Sequence, residues 1–119
     1  MRRFLAAAAI TLSVNTFAFG AERPDTASWA TTGADLYKKC SSADGTVAHA
    51  CSEYLLGFLT GVIMATPANA QVFCPPANLS YFELEMAYIN WAKANPDLLG
   101  RSPSITAAGA LSTAFPCQK

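Results

Sequence analysis

The longest regular signal in the chain is a stripe of apolar residues at helical spacing. Cys51, Tyr54, Leu55, Phe58, Leu59, Val62 and Ile63 recur in alternating steps of three and one. That puts them on one face of a helix, which Pro67 closes. Gly57 and Gly61 stand four apart in the same segment, which predicts that a neighbouring helix approaches closely there. Three further segments repeat the helical period, and none alternates as a strand would. One is expected over residues 33–43, where Leu36, Tyr37 and Cys40 share a face. Thr32 caps it, Asp35 stands where a carboxylate reaches back to the cap, and Ser41, Ser42, Asp44 and Gly45 end it. The next opens at Ser80, with Glu83 completing a capping box and Leu79 and Leu84 placed as a hydrophobic staple. Leu84, Ala87, Tyr88 and Trp91 face one way, and Asn95-Pro96 stops the helix. The last is expected over residues 103–115, capped by Ser102 with Pro103 at its first position. Its inner face reads as Ile105, Ala108, Leu111, Ser112 and Phe115, and Gly109 among alanines predicts tight packing on a bulkier partner. The fold class is all-α, a compact bundle of about four helices.

The N-terminal segments read differently. Arg2 and Arg3 precede an apolar stretch from Phe4 to Val14, and Ala18-Phe19-Gly20 offers small residues before a cut ahead of Ala21. This is the layout of a secretory signal peptide. The apolar run is broken by Thr11, Ser13 and Asn15, short of the ~20 residues a bilayer span needs. The chain therefore divides into a signal peptide over 1–20, a loose lead-in over 21–32 and a helical domain over 33–119. Trp29 is expected to pack down onto that domain. The later apolar run from Tyr54 to Ala65 is also too short to span, so the exported chain is expected to be soluble with no membrane span.

Composition narrows the function classes. A chain of 119 residues that is 52% hydrophobic and 13% charged, with no net charge, is neither a disordered tail nor a coiled coil. Without residues 1–20, six Lys and Arg face eight Asp and Glu, so the domain is mildly acidic. A nucleic-acid binder driven by a basic surface is excluded by that balance. One His and no nucleophile motif argue against an enzyme, and nothing asks for a cofactor. His49, Glu53, Glu83 and Glu85 come nearest to acid–base chemistry. His49 reads as solvated or capping, Glu83 belongs to the capping box, and Glu53 and Glu85 read as solvated.

Cys40, Cys51, Cys74 and Cys117 are separated by 10, 22 and 42 residues. No C-x-x-C pair is present, so neither a zinc site nor a redox motif is expected. In an exported domain the physical default is two disulfides, for which three pairings exist. Cys40–Cys51 is favoured because one helix ends near the first and the next begins near the second. Cys74–Cys117 then ties the C-terminus to the central linker 66–78. Both bridges read as structural.

These elements, in order, resemble a known family. The first cysteine helix is followed by Cys51-x-x-Tyr54-x-x-Gly57 with Gly61, and by Cys74-Pro75 after a loop. Leu79-Ser80 opens the next helix, Asn95-Pro96-Asp97 follows, and an alanine-rich helix closes in Phe115-Pro116-Cys117. Over about residues 33–117 this resembles the exported immunity proteins that bind peptidoglycan-amidase effectors of type VI secretion. The resemblance implies a helical fold with intrachain disulfides and no catalysis. It also implies a periplasmic partner enzyme blocked by binding, often by a homodimer of the immunity protein. Such proteins often carry an acidic residue just after the glycine of the second helix, where this chain has Val62-Ile63-Met64.

Blocking an enzyme by occlusion needs buried area and a few anchors, and no chemistry. Two loops are placed to present such anchors, Thr66 to Asn78 and Pro96 to Ser104. Asn69 and Gln71 on the first, and Asp97 and Arg101 on the second, are the candidate partner-binding residues. Two other readings belong to different classes. One is a small periplasmic stress or chaperone-like protein, for which fourteen charged residues after position 20 provide few acid-driven switches. The other is an accessory subunit of an envelope complex.

Overall fold

The computed structural model describes residues 30–118. The expected signal peptide and the lead-in as far as Trp29 lie outside them. Four α-helices make the fold: α1 over Gly33–Cys40, α2 over Gly45–Ala65, α3 over Tyr81–Ala94 and α4 over Pro103–Ala114. Single 3₁₀ turns at Ala68–Ala70 and Pro96–Leu98 interrupt the two long connections. No strand occurs among the described residues. The protein is an all-α bundle in which α3 packs against each of the other three helices.

Leu36, Leu55, Leu59, Leu84, Ala107, Ala110 and Leu111 fill the core from all four helices. Tyr88 of α3 is fully buried at its centre. Its hydroxyl donates to the Gly33 carbonyl at 2.9 Å and pairs with Thr106 Oγ1 at 2.7 Å, tying α3 to α1 and α4. Gly33 is required at that junction, because a Cβ there would lie 2.5 Å from Thr106 Cγ2. Gly109 is a second close approach, since its Cβ would meet the Trp91 ring at 2.5 Å. Trp91 is thus the bulky partner that the alanine-rich last helix was expected to find. The disulfides join Cys40 to Cys51 and Cys74 to Cys117, the favoured pairing.

The fold departs from expectation in three places. The first helix stops at Cys40, and α2 begins at Gly45, because Asp44 accepts from the amides of Thr46 and Val47 and caps α2. Cys51 therefore sits well inside α2, and its bridge reaches back to the last residue of α1. The buried face of α4 is Thr106, Ala107, Ala110 and Leu111, while Ile105 and Ser112 are exposed. Small side chains let α4 approach, and the Tyr88 hydroxyl draws Thr106 inward; a bulky Ile on that face would hold the helix off. Gly57 and Gly61 face open space, with nothing within 4 Å of a Cβ at either. The neighbours of α2 pack on its Cys51, Leu55 and Leu59 side instead, so the glycine face is uncovered.

The boxes at Thr32 and Ser80 both form. At the first, Asp35 Oδ2 accepts from the amides and hydroxyls of Thr31 and Thr32, at 2.9 to 3.1 Å. Those bonds, with Thr31 foremost, stabilise the carboxylate and hold Asp35 at about 2, against an ordinary 3.8. Backbone and hydroxyl bonds from Ser80 lower Glu83 in the same sense. A depressed folded value means that these carboxylates contribute stability above their unfolded values, and that this is lost as pH falls through the folded ones. Stability should therefore decline below pH about 4 as the caps protonate. Carboxyl NMR is expected to place the Asp35 midpoint near 2, and a midpoint in the ordinary aspartate range would contradict the box.

Candidate functional site

The connection from α2 to α3 is built around Gln71. Its side-chain amide donates to the carbonyls of Ile63 at 2.9 Å and Thr66 at 2.6 Å, closing the end of α2. The Thr66 hydroxyl adds a bond to Val62 O at 2.7 Å. These bonds satisfy carbonyls that a helix end leaves without partners. Phe73 is buried against the Phe58 ring, 6.3 Å away, and pins the middle of the connection. The Cys74 amide then donates to the Phe115 carbonyl at 2.9 Å, beside the Cys74–Cys117 bond.

Between this connection and the C-terminal end of α4 lies an open cavity of about 730 Å³. Asn69, Gln71, Val72, Ser112 and both cysteines of the second disulfide line it. Gln71 Oε1 is buried without a hydrogen-bond partner in its wall. Asn69 is exposed at the rim, on the 3₁₀ turn. The structure thus brings two of the four candidate partner-binding residues to one cavity. Gln71 also has a structural role there, which its position in a Pro-rich linker does not reveal.

Asp97 and Arg101 do not line that cavity. Both are exposed on the α3–α4 connection. Its backbone is anchored to α1, with Gly33 N donating to Arg101 O at 2.8 Å and Ala34 N to Leu99 O at 2.9 Å. The loop is therefore held from below while the Arg101 side chain projects from it.

A further cluster joins the N-terminal ends of α2 and α3. His49 Nε2 lies 3.3 Å from Glu53 Oε1, and the His49 ring meets Tyr81 edge-on at 5.1 Å. The Tyr81 phenol, hydrogen-bonded to Glu53, is pushed above its ordinary value by that carboxylate. Glu85, expected to be solvated, is partly buried and accepts from the buried Ser52 hydroxyl. Ser52 is the residue that the pattern missed, since a Ser beside the apolar stripe carries no signal of its distant partner. All four cysteines are bonded, and no cluster able to hold a metal ion occurs among the described residues. Large apolar side chains are exposed at Met64, Val72, Phe82, Leu98 and Ile105. Met64 and Phe82 stand off the inner stripes of their helices, which marks them in the sequence as outward.

Compared with known families, residues 32–117 match the Rap1a immunity proteins. No curated protein matches the chain. The matched stretch includes all four helices, both disulfides, the cavity wall from Ala68 to Cys117 and the anchored α3–α4 loop.

Proposed function

This chain belongs to the Rap1a immunity protein family, and from that premise we propose that it neutralises a cell-wall amidase effector delivered by type VI secretion. The family match across 32–117 is the observation that carries this reading. Immunity proteins bind effector proteins, so the partner is a protein, and the family is generally non-catalytic. The two disulfides and the family support export. The Arg-led apolar stretch over residues 1–20 supports export through a signal peptide to the periplasm, where peptidoglycan is exposed to the effector.

Inhibition by occlusion requires a rigid surface, because a floppy loop loses its ordering entropy on binding. The α2–α3 connection, pinned by Gln71 and Phe73, and the α3–α4 loop, pinned to α1, both meet that requirement. Asn69 and Arg101 are their outward polar groups, and Asp97 adds a carboxylate. A homodimer belongs to the proposal through the family resemblance, and sedimentation velocity of the oxidised chain reads it directly.

Arg101→Glu should weaken the complex about tenfold, or about 1.4 kcal/mol, by reversing the one cation on the α3–α4 loop. Calorimetry on the purified pair measures this, and an unchanged affinity removes that loop from the interface. The proposal itself is tested by contact-dependent competition. A strain lacking this protein should be lysed by its own parent, and rescued by the full chain but not by a version without residues 1–20. Survival of the deletion strain would refute the immunity role.

A further inference from the structure

The two disulfides occupy opposite environments. Cys40 and Cys51 are 3% and 0% exposed inside the core. Cys74 is exposed, Cys117 is half-buried, and both line the cavity of about 730 Å³. The covalent bond there is backed by one backbone hydrogen bond, Cys74 N to Phe115 O. The connection that carries Asn69 and Gln71 thus meets the C-terminal tail at a disulfide whose two residues lie at the surface and line the cavity.

We infer that Cys74–Cys117 is a thiol-exchange site, open to dithiol reductants in the folded protein, whose state controls the shape of this cavity. The electron balance is complete with a dithiol as donor. Its thiolate attacks Sγ of Cys74, the more exposed residue of the pair, the S–S bond breaks, and Cys117 leaves as a thiolate that takes up a proton. The second thiol of the reductant then gives up its proton and displaces Cys74, which is protonated in turn. The reductant ends as a disulfide and the protein as two thiols. The core bond cannot follow by this route, because no thiol reaches a buried sulfur without unfolding. The unfolded population of a stable domain lies below about 10⁻³, and that fraction scales down the rate of attack on Cys40–Cys51. After exchange, Phe73 and the Gln71 bonds still hold the start of the connection, while residues 74–78 and the tail beyond Phe115 are released. The consequence for effector binding rests on the loop reading above; the exchange chemistry does not.

The test uses the oxidised chain with dithiothreitol, iodoacetamide trapping and mass spectrometry, and needs no effector. Cys74 and Cys117 should become alkylated at least about a hundredfold faster than Cys40 and Cys51. Circular dichroism should keep its helical signal, while amides in 74–78 and at Phe115 exchange at least about tenfold faster with deuterium. The variant Cys74→Ser/Cys117→Ser should show the same exchange pattern without reductant. Opening of Cys40–Cys51 at a comparable rate would overturn the inference. So would selective opening that leaves exchange in 74–78 unchanged, or a double-serine variant that loses its helices.

Discussion

Tyr88→Ala is expected to cost about 3–5 kcal/mol, a large share of the roughly 5–15 kcal/mol that holds a domain folded. Tyr88 is the largest fully buried side chain among the described residues, and it lies where α1, α3 and α4 converge. Its removal leaves a cavity that three helices cannot close without shifting the approach set by Gly33 and Thr106. Tyr88→Phe separates packing from hydrogen bonding. It keeps the ring and loses the bonds to Gly33 O and Thr106 Oγ1. Thr106 Oγ1 is also within reach of the Pro103 carbonyl at 3.1 Å, so it retains a partner. The Phe variant should therefore lose only about 1 kcal/mol. Urea unfolding of the three proteins measures both steps, and a Phe variant as damaged as the Ala variant would show that the hydroxyl, not the ring, holds the junction.

The second large effect concerns the core disulfide. Chain entropy alone ranks Cys74–Cys117 first, because its separation of 43 is worth about 4 kcal/mol and the 11 of Cys40–Cys51 about 3. Packing reverses the order. Both sulfurs of the core bond are buried, so Cys40→Ala/Cys51→Ala also removes apolar contacts worth about 1 kcal/mol per sulfur. Cys74, an exposed residue, adds little of that kind. The core pair should therefore cost about 4–5 kcal/mol, against at most about 4 for Cys74→Ala/Cys117→Ala. Thermal unfolding of the two double variants decides between these terms, and a larger loss for the exposed pair would mean that the denatured state dominates.

The helices and their caps were legible because capping chemistry is local. Thr32 with Asp35, and Ser80 with Glu83, act within three residues, and both boxes form as read. The start of α2 was misread because Asp44 can end one helix or cap the next, and only the path of the chain selects between them. The α4 face was misread because an apolar pattern weights Ile105 above Thr106. Burial of Thr106 depends on a hydroxyl 18 residues away in the sequence. The glycine pair in α2 signals a close approach only if some helix lies on that side, and none of this bundle does. At the candidate site, the loops could be found from their prolines. The role of Gln71 could not, since it follows from carbonyls at the end of a helix that the linker folds back to meet.

The protein's role is decided by its partner. Oxidised protein would be used to capture binding proteins from the secretions of its producing strain, and each captured protein assayed on purified peptidoglycan with increasing amounts of this chain. The prediction is one stoichiometric amidase whose peptidoglycan cleavage stops when the chain reaches equivalence. Capture of an amidase that keeps its full activity at saturation, or of no cell-wall hydrolase at all, would contradict it.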